Sequence, residues 1–103
     1  MLIVTTETIS GKNLQMLGYV SGSTVQSKNA FKDFGAGLRN IVGGEVGSYT
    51  KMLSEARDVA VQRMVQQAQS MGADAVVNVR FSSSSVMQGA AEILVAGTAV
   101  KFV

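Results

Sequence analysis

The chain of 103 residues has no histidine and no cysteine. That removes the commonest general base and metal ligand, together with thiolate nucleophiles, redox pairs and cysteine-based zinc sites. A serine nucleophile would need a lysine or carboxylate beside it. The run Ser82–Ser85 has only Arg80 nearby in sequence. Arginine stays protonated, so the run reads as a solvated turn or a frayed strand end. None of the seven carboxylates (Glu7, Asp33, Glu45, Glu55, Asp58, Asp74 and Glu92) forms a DxD or ExxE cluster. Such clusters bring two oxygens to one hard cation. Glu55 and Asp58 are expected on a wet helix face, paired with Lys51 and Gln62. Met52, Met64 and Met71 fall at core spacing, where filling gaps rather than holding Cu(I) is the expected role. No catalytic residue is assigned.

Two glycine-rich pieces raise a ligand question. Gly35-Ala36-Gly37-Leu38-Arg39-Asn40 begins like a dinucleotide fingerprint but ends on Asn and falls within a helical pattern. Gly43-Gly44-Glu45-Val46-Gly47-Ser48 lacks the lysine of a phosphate loop. It does precede a helix start, where free amides and the helix dipole favour an anion. Gly43, Gly44, Glu45 and Tyr49 are therefore candidate ligand-binding positions, the ligand itself unspecified. Arg57 joins them because it borders the apolar stripe of the same helix. A partly buried guanidinium seeks a carboxylate, and Glu45 and Glu92 are its candidate partners, across a subunit boundary.

The elements that position these residues follow from periodicity. Leu2–Thr5 reads as a short strand, Ser10–Asn13 as a turn and 14–27 as a longer extended segment. Gly18 and Gly22 within it suggest a bulge or a close backbone approach. Asn29 is a plausible cap for a short helix carrying Phe31, Phe34, Leu38 and Ile41, ended by Gly43-Gly44. From Ser48 to Met71, Met52, Leu53, Ala56, Ala60, Met64, Ala68 and Met71 make an amphipathic stripe that predicts a helix of about six turns. Residues 75–81 alternate as a half-buried strand. The last segment, 92–103, is apolar on both faces through its middle, so both faces are expected to be covered. One helix can cover one of them; the other calls for the short helix and a neighbouring subunit. The fold class is α+β: a small, mostly antiparallel sheet wrapped on one long helix, as a single domain over residues 1–103.

Composition points the same way. Charged residues make up 16% of the chain and hydrophobic ones 47%, against about 25% charged in an average domain. A small domain needs more charged surface than a large one, so the shortfall suggests an exterior covered by copies of the same chain. The nine Lys and Arg form no run, and the net charge is +2, which argues against nucleic acid. No stretch reaches the ~18 unbroken apolar residues of a membrane span, and the first residues lack the pattern of a secretory signal. A cytoplasmic protein is expected.

Several separated pieces resemble one family. They are Gly18-Tyr19-Val20-Ser21-Gly22, Arg39-Asn40-Ile41-Val42-Gly43-Gly44-Glu45, Tyr49, Ala56-Arg57, Ala60, Gly72-Ala73-Asp74-Ala75-Val76-Val77 and Gly97-Thr98-Ala99-Val100. Their order and spacing, spanning Thr5 to Val100, are similar to the YbjQ-like family, which carries a heavy-metal-binding label. The resemblance implies a dodecin-like subunit with a β-α-β-β arrangement, assembled as a homo-oligomeric ring, a pentamer. The metal label finds no His or Cys here, and Glu45 or Glu92 brought together by ring symmetry are the weak metal candidates. A second consequence of a ring is an inter-subunit site using Tyr49, Arg57 and a carboxylate, which would make the protein an enzyme. The leading expectation is a non-catalytic ring that binds a small ligand or ion, or serves as a scaffold.

Overall fold

The computed structural model describes residues 1–27, 45–87 and 90–103, with side chains described for all of these except 26–27, 45–50, 85–87 and 90. The elements run β1 (Leu2–Ile3), β2 (Leu14–Ser27), α1 (Glu45–Ser70), β3 (Ala75–Met87) and β4 (Ala90–Phe102). They form one four-stranded sheet in the order β1-β3-β4-β2. The expected α+β class with one long helix on a mainly antiparallel sheet holds: β4 runs antiparallel to both β2 and β3. The short strand expected at Leu2–Thr5 is β1 (Leu2–Ile3), which pairs parallel to β3. Among the described elements, β2, α1, β3 and β4 then follow the β-α-β-β order that the resemblance implied. The expected short helix from Asn29 to Ile41 lies outside the described residues.

The helix is held on the sheet by small residues. Ala56, Ala60, Met64 and Ala68, spaced by four, are fully buried on one side of α1. Three alanines in that row let the helix backbone come close to the strands, and β2 meets it with Gly22. A Cβ built at Gly22 would overlap the Ala60 carbonyl oxygen and lie 2.6 Å from the Met64 nitrogen. Gly22 is thus required for the approach itself. Gly97, on β4, is similar: a Cβ there would come within 2.6 Å of Val76 Cγ1. Val20, Val76, Val79, Val95 and Ala99 complete the core beneath the helix. The helix starts at Glu45, three residues before the expected Ser48. It ends as expected at Gly72, whose φ of 77° is left-handed. Gly72 donates to Gln69 O at 3.0 Å and Ala73 to Ala68 O at 3.1 Å. This paired closure satisfies the last carbonyls of a helix.

The opposite face of the sheet has a smaller core at one end only. Ala75, Val77 and Val100 are buried there beneath Val4, Ile9, Leu14 and Phe102. The chain from Val4 to Thr6 stays beside β3 through Val4 N–Val76 O, Val79 N–Val4 O and Asn78 N–Thr6 O bonds of 2.9–3.0 Å. Asn78 sits at φ 57° in the bulge where the β3–β4 register shifts. Asparagine is among the few non-glycine residues that tolerate that region.

Two sequence expectations are corrected. Ser82–Ser85 is neither turn nor frayed end: β3 continues through it to Met87, each serine in register with β4. Sheet partnership on the β4 side outweighs the local turn preference of serine. Arg57 is exposed rather than partly buried, with Nη2 3.3 Å from Ser54 Oγ. The buried row passes through Ala56 and Ala60, which turns position 57 to solvent.

Candidate functional site

Among the described residues, the sheet face away from α1 is the surface with few intramolecular contacts beyond its N-terminal end. Strand register lays it out in rows across β2, β4 and β3: Tyr19–Thr98–Val77, Ser21–Ala96–Arg80, Ser23–Leu94–Ser82 and Val25–Glu92–Ser84. The first row adjoins the small core built by the N-terminal segment. Beyond it, Leu94, Ala96 and Thr98 are half-buried, while Tyr19 is 65% and Val25 58% exposed. Of the two ionisable groups in the three outer rows, Arg80 is turned to the chain. Its Nη1 donates to Thr5 O at 2.8 Å and to Val79 O at 2.9 Å. Glu92 is then the one remaining charge on this stretch, flanked by Val25 and Ser84.

The two sides of the sheet end differently. At β2, Ser21 N donates to Gln67 Oε1 at 2.8 Å, and Arg63 Nη1 donates to Ser23 O at 2.6 Å. Successive residues of a strand aim their backbone groups to alternate sides. Ser21 and Ser23 therefore point outward, and the helix lends two side chains to close that edge. At β3, the same alternation points Phe81, Ser83 and Ser85 outward, away from β4. No described strand runs beside them, because the N-terminal chain leaves β3 at Asn78 and Val79. Phe81 is 48% exposed and, with Ile3, Val4, Thr5, Thr6 and Val79, lines a shallow groove at this edge.

The arrangement supplies little for chemistry. On the open face the one hydroxyl beside a free carboxylate is Ser84, next to Glu92. No third group orients that pair among the described residues, so the nucleophile–base–orienter geometry is not built. Among the described residues no three of His, Cys, Asp and Glu come together. The whole sequence offers neither thiolate nor imidazole, the donors that soft metal ions select. Among the described residues a heavy-metal centre of thiolate, imidazole or clustered carboxylate is therefore not built within one subunit. Asp74 is structural: its Oδ2 accepts from Phe102 N at 2.8 Å and its own N–H donates to Val100 O at 2.9 Å. Lys101 Nζ reaches Gly72 O at 3.3 Å, and Lys12 Nζ lies 5.0 Å from the Phe102 ring centre. These three groups tie the end of α1 and the N-terminal turn to β4.

Of the sequence-derived candidates, Arg57 and Glu92 are the two whose side chains are described, and they are not brought together. Gly43 and Gly44 lie outside the described residues, and Glu45 and Tyr49 fall in the first turns of α1, with side chains outside the description. Arg57 is exposed on the helix and Glu92 is half-buried on the opposite sheet face, so the two stand on different layers of the subunit. Sequence reading missed Gln67 and Arg63 as edge caps. A glutamine and an arginine four apart on a helix resemble any solvated pair, and nothing local marks their partners.

Fold and surface together define a two-layer α+β subunit with one sheet face covered by its own helix and the other largely uncovered by the described residues. The chain belongs to the YbjQ family, whose description, "Putative heavy-metal-binding", is matched over residues 1–103. It is 60% identical over 102 residues to a UPF0145 protein of Methanosarcina acetivorans, covering 98% of this chain and 96% of that one. A UPF0145 protein of Clostridium novyi is 54% identical over 101 residues, covering 98% of both chains. Among solved structures, a Pediococcus pentosaceus protein of unknown function from the DUF74 family superposes with a TM-score of 0.71 at 13% identity. That likeness covers 100% of this chain and 98% of the other, and it carries the fold alone. No helix among the described residues is long and apolar enough to cross a membrane.

Proposed function

We propose that the protein is a non-catalytic building block of a cytoplasmic homo-oligomeric ring that presents a scaffold or a small-ligand surface. The number five for the ring comes from the family resemblance. The observation that carries the reading is the sheet face beyond the small core, which no described element covers and where Tyr19 and Val25 are exposed. The face carries Tyr19, Val25, Leu94 and Ala96 among serines and two charged residues, a mixed surface of the kind that protein partners cover. With 16% charged residues the chain has little polar surface to compensate. A second copy is a partner always present at equal concentration.

The metal reading has less support. Glu92 of symmetry-related subunits could meet in a ring, but five carboxylates are hard oxygen donors and suit calcium or magnesium better than thiophilic ions. Native mass spectrometry of protein purified without a metal-affinity tag, followed by elemental analysis, tests both points. A multi-subunit mass without stoichiometric metal is expected. A monomer at micromolar concentration would remove the proposal, and a stoichiometric soft metal would replace it with the family's metal label.

A further inference from the structure

We infer that the N-terminal segment from Leu2 to Thr6 is a strap that opens and recloses on β3 while the rest of the subunit stays folded, with Arg80 as its clasp. The inference does not depend on association between copies. It rests on how the segment is attached and on what lies beneath it.

The attachment is narrow. β1 is two residues long and lies parallel to β3 at Ala75 and Val76, and parallel pairs are slightly the weaker kind per residue. Beyond it Val4 donates to Val76 O at 2.9 Å, Val79 to Val4 O at 3.0 Å and Asn78 to Thr6 O at 2.9 Å. Leu2, Thr5 and Thr6 are exposed, and Ile3 and Val4 are half-buried. The strap strand packs mainly on β3, whereas α1 packs mainly on β2 and β4. The main core of Val20, Met64, Val76 and Val95 is closed by that helix, and Ile3 is the one strap residue packed against it. Segments with few buried apolar contacts and exposed backbone bonds open at a fraction of the free energy of global unfolding.

Arg80 is placed to hold such a segment. Its Nη1 donates to Thr5 O at 2.8 Å and to Val79 O at 2.9 Å. Thr5 is 75 residues away in sequence and Val79 is the preceding residue, so opening removes one partner and leaves the other. The guanidinium is therefore not orphaned in the open state, and it waits where Thr5 O must return. Its charge makes the bond stronger than one between neutral groups. Asn78 and Val79 form the seat: they are the bulge between the pairs Val77–Thr98 and Arg80–Ala96, and both donate to the strap. Opening also has a specific consequence. Ala75, Val77 and Val100 are buried with Val4 and Ile9 packed against them, and Ile3 to Thr6 wall the groove beside Val79 and Phe81. The open state presents a small apolar patch and two free bulge amides that the closed state hides.

The test is residue-resolved amide hydrogen exchange of Arg80→Ala against the wild type. The amides of Val4, Asn78 and Val79 report the strap, and those of Met64 and Ala68, fully buried on α1, report the subunit. The expected result is exchange roughly tenfold faster or more at the three strap amides, with Met64 and Ala68 unchanged. Equal acceleration at all five would show that the strap opens only with the whole subunit and would overturn the inference. No acceleration at the strap amides would overturn it as well, because Arg80 would then hold nothing. Should Arg80→Ala fail to fold, exchange of the wild type in low urea decides. Strap amides that exchange through a smaller opening free energy with a shallower urea dependence support the inference, and one common dependence for all five overturns it.

Discussion

The edges of the sheet were built by opposite means. At β2 the helix passes so close that Gly22 cannot bear a side chain, and this proximity lets Gln67 and Arg63 reach over the strand to Ser21 and Ser23. At β3 the helix is too distant to help, and Phe81 and the serines face outward with nothing described beside them. One fact, the lateral placement of α1, sets both outcomes. A single helix cannot cover four strands, and this one is spent on the β2–β4 side. The lesson is that one helix, by where it lies across the sheet, decides which edge receives side-chain caps.

The comparison can be broken most forcefully at Gly22. Gly22→Ala should destabilise the subunit by about 3 kcal/mol or more, since the clash is with helix backbone rather than a flexible side chain. The helix would be lifted from β2 and both edges left open. A thermal melt reads the loss, and a melting temperature within a degree of the wild type would contradict the close packing. Gln67→Ala sharpens the comparison on the closed side. Removing the acceptor of the Ser21 amide should cost about 1 kcal/mol and raise the tendency to aggregate, measured by urea unfolding and turbidity. Thr24→Val leaves both edges intact. The Thr24 hydroxyl is buried, with no hydrogen-bond partner, so its replacement should be neutral or stabilising by up to about 1 kcal/mol. A clear destabilisation in the same urea series would reveal a hidden partner for that oxygen. Smallest is Arg57→Ala, an exposed position whose described bond is to Ser54. It should change subunit stability by less than about 0.5 kcal/mol.

Much of the fold was legible because it is written in local periodicity. Ala56, Ala60, Met64 and Ala68 mark the buried row of α1, Gly72 marks its end, and the two-faced apolar strand at 92–103 is the central β4. Gly22 was readable as a close approach, though not what it approaches. The serine strand was hidden because serine prefers turns locally, and its register is imposed by β4 from the other side of the hairpin. The edge caps were hidden for a different reason: Gln67 and Ser21 are 46 residues apart, and Arg63 and Ser23 are 40 apart. Bonds between ordinary polar residues at such separations leave no pattern in the chain. The site was the least legible part, because residue types announce catalysis and metal ligation, whereas an unpaired strand edge is defined by what is missing next to it. Arg57 illustrates the converse: its residue type invited a role, and its position on the helix turns it to solvent.

The most direct measurement is the native mass of the protein across a dilution series, with exchange of the Ser21 amide as internal reference for the fold. Ser21 is held by Gln67 within one subunit, so its protection should not depend on concentration. The account predicts a multi-subunit mass that persists to micromolar concentration while Ser21 stays protected. A monomer at micromolar concentration with Ser21 still protected would contradict it.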